Sequence, residues 1–310
     1  MLFEPSTVLR PLGPVAATRP SISLLLPTRG RPALVERLFR SIAETTAHPD
    51  RVEVILYVDE DDTGSHHLDS KDVRVVRIVG PAMSMGGYNS ACLERARGDI
   101  IVLANDDMVI RTPGWDNRVE EVDADFADRI YLAYANDLFK KRGLCTFPVL
   151  SRRTCELLVE PYPAAYRGAF IDVHLFDIFK RLQHAGFERI RYLDDVVFEH
   201  LHYRTGKAVF DETYKRHVRF EDDPTFIAMA KVRGTGAKRL LNALMGERLP
   251  AFEQSKCQEY VPAGIPSAVS YFSRQLLFDK ELPLRWRGFL WYWFIGRYLA
   301  ARGFLWPLVR

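Results

Sequence analysis

Gly98-Asp99-Ile100-Ile101-Val102-Leu103-Ala104-Asn105-Asp106-Asp107 is the stretch on which the reading of this chain turns. Residues 100–104 are apolar without alternation, the pattern of a strand covered on both faces, and the run ends in an amide and two acids. Like charges placed directly after a buried strand repel unless a cation or strong donors compensate them. Upstream, residues 86–97 predict a helix stopped by Gly98. Residues 73–79 predict a strand closed by Gly80-Pro81, and residues 52–58 another that ends in Asp59-Glu60-Asp61-Asp62. The first strand is expected over residues 21–26, stopping at Pro27. Gly30-Arg31-Pro32 then opens a helix with proline in its first turn. Leu34, Val35, Leu38, Phe39 and Ile42 continue it at helical spacing.

Strands alternating with helices predict an α/β fold, a Rossmann-type, mostly parallel sheet flanked by helices. Ligands of such sheets sit beyond the carboxyl ends of the strands. Thr28-Arg29, residues 59–62 and Asn105-Asp106-Asp107 are therefore the places to look. No Gly-x-Gly-x-x-Gly follows the first strand and no P-loop pattern occurs, so the usual phosphate cradles of dinucleotide and P-loop proteins are missing.

The 310 residues, 47% hydrophobic and 27% charged, suffice for a full core and exclude a mainly disordered chain. Cys92, Cys145, Cys155 and Cys257 form no Cys-x-x-Cys pair, which argues against a disulfide framework or structural zinc. With no secretory signal pattern, a cytoplasmic setting is expected. Residues 1–20, with four prolines, predict an extended leader. Residues 21–220 form the α/β unit and residues 221–310 a basic, aromatic, helical extension. Residues 224–310 carry 13 Lys/Arg against 5 Asp/Glu, a balance of +8 on a chain whose net charge is +3.

Residues 98–107 resemble the metal-binding segment of family 2 glycosyltransferases with the GT-A fold. The resemblance extends to residues 21–29, to residues 54–59 and to Gly87-Tyr88-Asn89-Ser90-Ala91, and covers roughly residues 20–205. It implies transfer of a hexosyl or deoxyhexosyl group from a nucleoside-diphosphate sugar to a hydroxyl, with inversion. It also implies a divalent cation, Mn2+ or Mg2+, on the diphosphate, whose developing charge a hard cation on oxygen ligands neutralises. In that family the acidic motif begins with a carboxylate; here Asn105 stands there, and Asp107 matches the second, ligating acid. The resemblance puts Pro27, Thr28, Arg29, Asp59, Asn89, Asn105 and Asp106 against the nucleotide sugar, Asp59 toward the base. Arg29 fits an ordinary surface ion pair equally well.

Downstream, Asp172 matches the general base, which takes the proton of the acceptor hydroxyl as the new bond forms. It sits in the first turn of a helix whose apolar stripe is Ile171, Leu175, Ile178, Phe179 and Leu182. An acid there also simply favours the helix dipole. Residues 196–203 predict a strand with His200 and His202 on one face; His200 matches an additional metal or diphosphate ligand. Lys207, in Arg204-Thr205-Gly206-Lys207, is the charge of a loop that would close over phosphates. His66-His67 has no partner pattern.

Residues 285–310 hold nine aromatic residues, five arginines and no acid. Arg297 and Arg302 make a membrane span costly. Trp, Tyr and Arg instead suit a membrane interface, and packing into the core or a dimer seam is the competing reading. The expected protein is a polysaccharide-building glycosyltransferase, peripheral on the inner face of the cell membrane, with a glycan or lipid-linked acceptor. No nucleic-acid partner is expected, and self-association is left open. The rivals are a sugar-phosphate nucleotidyltransferase and a non-catalytic membrane scaffold. Residues 27–32 match poorly the Gly-rich loop the first would need, and Asn105 keeps the second in play.

Overall fold

The computed structural model describes residues 21–208, 219–252 and 258–304. The expected leader, residues 1–20, lies outside them, as does Cys257. Strands β1 (Ile22–Thr28) and β2 (Val52–Asp59) are buried at every position and run parallel, Ile22 beside Val52 and Thr28 beside Val58. Parallel neighbours follow on each side: β3 (Arg74–Gly80) beside β2, and β4 (Ile100–Leu103) beside β1. At the edge, β3 exposes Arg74 and Arg77, charges that discourage pairing with another chain.

Pro27 does not end β1 as expected. Leu25 accepts the Ala104 N–H at 2.9 Å on the β4 side. Pro27, two residues on, faces the same way, but β4 has already ended at Leu103. Its missing N–H therefore leaves no ladder bond unmade.

Past β4 the sheet turns mixed, with β5 (Met108–Ile110), β6 (Leu132–Asn136), β7 (Pro148–Ser151) and β8 (Ile190–His200) giving the order β3-β2-β1-β4-β7-β6-β8-β5. β7 is antiparallel to both β4 and β6, β8 is parallel to β6, and β5 is antiparallel to β8. Helices α1 (Pro32–Thr45), α2 (Met85–Arg95), α3 (Trp115–Asp125), α4 (Arg152–Leu158) and α5 (Ile171–His184) flank it. Alternate side chains of β1 serve opposite faces, as the pleat requires. Ile22, Leu24 and Leu26 pack with Val35, Leu38, Phe39 and Ile42 of α1. Leu25 packs with Cys92 of α2 and joins the core of α5.

Gly98 does not stop a helix: α2 ends at Arg95, with Ala96 extended behind it. Gly98 is instead pressed against β1, where a Cβ would lie 2.7 Å from the Ser23 amide nitrogen. Its own N–H donates to Ser23 Oγ at 2.8 Å. Close backbone approach, not chain reversal, requires glycine there.

The carboxy-terminal helices α6 (Asp223–Ala228), α7 (Ala230–Met245), α8 (Ile265–Phe272) and α9 (Leu284–Ala301) continue the core of α5. Trp286, Leu290, Phe294 and Tyr298, one per helical turn, form the buried stripe of α9, each contributing about 1.5–3 kcal/mol by burial. Between these layers lies Asp177, fully buried, which accepts from Arg233 Nε and Trp286 Nε1 at 2.9 Å and from Arg181 Nε at 3.2 Å. Consequently α5 buries more than the expected stripe, adding Val173, His174, Phe176, Asp177 and Arg181. Among the described residues no helix is long and apolar enough to cross a membrane.

Candidate functional site

The carboxyl ends of β1, β2 and β4 meet at one edge of the sheet, and the two adjacent acids after β4 part company there. Asp106 turns inward. Thr28 Oγ1 donates to its Oδ2 at 2.9 Å and Arg31 Nη1 to its Oδ1 at 3.0 Å; burial pushes its carboxyl up to about 6. Arg31, read in the sequence only as part of a helix start, supplies the compensating cation. Thr28 and Asp106, both expected at the donor, are thus committed to each other. Asp107 faces the other way, its Oδ2 3.1 Å from His200 Nε2. Exposed Asn105 forms the turn between strands, its carbonyl accepting the Met108 N–H at 3.0 Å.

His200 reaches Asp107 across 93 residues of sequence because β5 and β8 pair with Met108 opposite His200. The Leu201 N–H donates to Asp107 O at 2.9 Å and the His200 N–H to Asp137 O at 3.1 Å, pinning the register. His200 Nδ1 is buried without a hydrogen-bond partner. β8 ends at His200, so His202 lies beyond the strand rather than on its face, yet the two rings remain 5.1 Å apart. Burial, reinforced by His200, pushes His202 down to about 4, so it is neutral near pH 7.

A second corner is built on Asp59. This carboxylate, 1% exposed, accepts from Tyr88 Oη at 2.6 Å and pairs with Arg29, which also forks onto Asp61 at 2.6 and 2.7 Å. Arg29 thus forms ion pairs at the strand end. His66 Nε2 is 3.1 Å from Asp59 O. Asn89 Nδ2 donates to Met85 O in the first turn of α2 at 3.0 Å. Lys207 is held by Glu199 at 2.5 Å, and Glu199 also pairs with Arg111 at 2.8 Å.

Asp172 opens α5 at this same edge. Burial pushes its carboxyl up to about 6, against the opposing pull of the Val173 N–H, His200 and Lys140. It thus stands in the first turn of the helix, without forming its N-cap, and lies within the field of His200. The preceding loop is shaped from the carboxy-terminal side. Asp222 accepts the N–H groups of Arg167, Gly168 and Ala169 at 3.0, 2.8 and 2.7 Å. Phe170, in the left-handed region at φ 70°, packs on Phe226 and Phe294. A non-glycine residue persists there only when its surroundings over-determine it.

Beyond Arg31, the sequence reading missed Tyr88, Asp222 and Asp137. Asp137 Oδ1 accepts the N–H groups of residues 139, 140 and 141 at 2.9, 2.7 and 2.6 Å, fixing the loop that carries Lys140. A signal existed: Ala-Asn-Asp occurs at residues 104–106 and again at 135–137, each time where a strand ends. Arg37 was also missed. Its Nε is buried with no hydrogen-bond partner, and it stands in the field of Asp106 and Asp107.

Among the described residues no group of three or more His, Cys, Asp and Glu converges on one point, so a closed protein cage for a metal is absent. The Asp107–His200 pair, with a buried ring nitrogen to spare, fits a different kind of site. Mg2+-like cations that share phosphate oxygens keep several waters and need only one or two protein ligands.

No family model matches the sequence and no curated protein is significantly similar to it. In three dimensions the chain is similar to residues 1–349 of TarS from S. aureus, at 13% identity, over 91% of this chain and 92% of that one, with a TM-score of 0.52. TarS 1–349 crystallised with UDP-GlcNAc gives the same coverage and TM-score at 12% identity. A looser likeness is to the mannosyltransferase PcManGT from Pyrobaculum calidifontis in complex with GDP-Man and Mn2+. It has 14% identity over 92% of this chain and 76% of that one, with a TM-score of 0.47. At such identities the likeness is one of fold: the mixed α/β sheet flanked by helices is shared with TarS, a protein crystallised with a sugar nucleotide.

Proposed function

We propose that this protein is a glycosyltransferase that moves a sugar from a nucleoside-diphosphate donor to an acceptor hydroxyl, with inversion at the anomeric carbon. One observation carries the reading: Asp172, its carboxyl pushed up to about 6, stands in the field of His200, which itself lies 3.1 Å from Asp107 at the carboxyl edge of the sheet. A base with a pKa near neutrality is matched to taking a hydroxyl proton at physiological pH. The Asp59, Arg29 and Tyr88 corner lies at the neighbouring strand end and suits the nucleoside, with Arg29 able to exchange Asp61 for the ligand. Asp107 and His200 are the residues that would hold Mn2+ or Mg2+; when bound, the cation supplies charge neutralisation for the departing diphosphate. Asp106, neutral or paired with Arg31, keeps the Asp107 loop in place without facing the donor.

In the reaction Asp172 accepts the proton from the acceptor oxygen, that oxygen bonds to the anomeric carbon from the face opposite the diphosphate, and the bond to the diphosphate oxygen breaks. The acceptor class consistent with the sequence reading is a glycan or a lipid-linked glycan.

Purified protein incubated with UDP-GlcNAc or GDP-Man, the sugar nucleotides of the structural neighbours, tests this. Release of nucleoside diphosphate, stimulated by Mn2+ or Mg2+, is expected. Release of pyrophosphate from a nucleoside triphosphate and a sugar 1-phosphate, supplied in place of the sugar nucleotide, would identify a nucleotidyltransferase instead. Donor binding without any turnover across acceptors would leave a scaffold.

A further inference from the structure

Helix α9 is apolar on two faces. Its inner stripe, Trp286, Leu290, Phe294 and Tyr298, is buried against α5 and α6. The opposite stripe runs through Arg285, Phe289, Tyr292, Gly296 and Leu299, residues spaced to share one side of a helix. Along it Tyr292 is 75% and Phe289 46% exposed, and Leu284 and Phe278 beside it are 70% and 66% exposed. Large contiguous apolar exposure on a folded chain marks an interaction surface.

Charge says what kind of surface fits. Arg274, Lys280 and Arg285 are exposed around this stripe, and among the described residues none of the three has a salt bridge. Of the acids of the same stretch, Asp279 is largely covered against Arg181 at 2.5 Å, and Glu281, though exposed, is paired with Arg181 at 3.1 Å and Lys238 at 3.6 Å. Rings flanked by uncompensated cations match the headgroup region of an anionic bilayer, where aromatic rings sit at the boundary and Lys/Arg meet the surface potential.

We infer that the outer face of α9 docks on an anionic lipid surface and lies in it without crossing it. The stripe also connects to the site. Phe289 stacks on Trp293 with centroids 5.6 Å apart, and Trp293 packs at 5.4 Å on Phe170, two residues before Asp172.

Sedimentation of the full chain with vesicles tests the inference independently of any transfer activity. Vesicles of equal parts phosphatidylcholine and phosphatidylglycerol should carry the protein down, and phosphatidylcholine alone should not. High salt should weaken the partitioning, because a Lys or Arg near the surface contributes through a screened potential. Arg285→Glu should lower partitioning about tenfold, and Phe289→Ser with Tyr292→Ser should lower it comparably. Both variants change exposed side chains, so unchanged melting temperatures are the control. Equal sedimentation with and without anionic lipid, or full binding by both variants, overturns the inference. Dimerisation of the parent chain that Phe289→Ser with Tyr292→Ser abolishes, without vesicle binding, would assign the face to a second copy and equally overturn it.

Discussion

Asp172 and Asp177 are five residues apart on α5, the first half-buried and the second fully buried, and their surroundings are opposite. Asp177, in the middle of the helix, receives two guanidinium groups and an indole N–H from α5, α7 and α9. Asp172, at the amino-terminal end, receives the Val173 N–H at 2.8 Å and only the more distant pull of His200 and Lys140. A buried charge matched by fixed cations is spent on holding layers together. One left with an elevated pKa and an open side keeps its capacity to take a proton. Of the next pair, Asp106 is closed by Arg31 and Thr28, while Asp107 lies 3.1 Å from His200. The contrast on α5 also revises the view of the carboxy-terminal helices: through Asp222 and Phe170 they build the loop ahead of Asp172, so cutting the chain after about residue 279 should unfold or aggregate it.

The comparison breaks most directly at α5. Asp172→Asn should lower turnover by about 10²–10⁴-fold, the range for a lost general base, with donor affinity and melting temperature unchanged. A variant that turns over like the parent removes Asp172 from the chemistry. Asp177→Ala should leave the buried Arg233 without its carboxylate and destabilise the fold by about 3–5 kcal/mol, measured by denaturant unfolding. If stability is kept while activity falls, the roles assigned to the two acids are reversed. A smaller effect is expected at Asp107→Ala. Saturating donor with Mn2+ should stabilise the parent by about 2.7 kcal/mol at a hundredfold excess over Kd, and the variant should lose most of that thermal shift while its unliganded melting temperature stays.

The finest probe is pH. Burial holds the Asp172 carboxyl at about 6 in the folded protein, and a base must be unprotonated to act. Therefore kcat/KM should rise with pH through about 6 and level off above it. The limb should vanish from the residual activity of Asp172→Asn. A limb that persists in that variant would belong to another group.

What the sequence determined by itself was periodicity and its consequences. The apolar run at residues 100–104 demanded a strand covered on both faces, residues 52–58 read as a second strand, α1 showed its buried stripe, and polar residues at strand ends marked the edge to inspect for a ligand. These depend on neighbours within one turn or one pleat, which the chain encodes locally. The tertiary structure alone decided which way each acid turned. Asp106 and Asp107 receive their surroundings only when Arg31 takes one and the antiparallel pairing of β5 with β8 delivers His200 to the other. Asp177 looks like any polar helix position until Arg233 and Trp286 arrive from segments 56 and 109 residues away. The reason is electrostatic: the state of a buried charge is set by whatever lies opposite it at hydrogen-bonding distance, and in this chain those partners come from distant strands and helices.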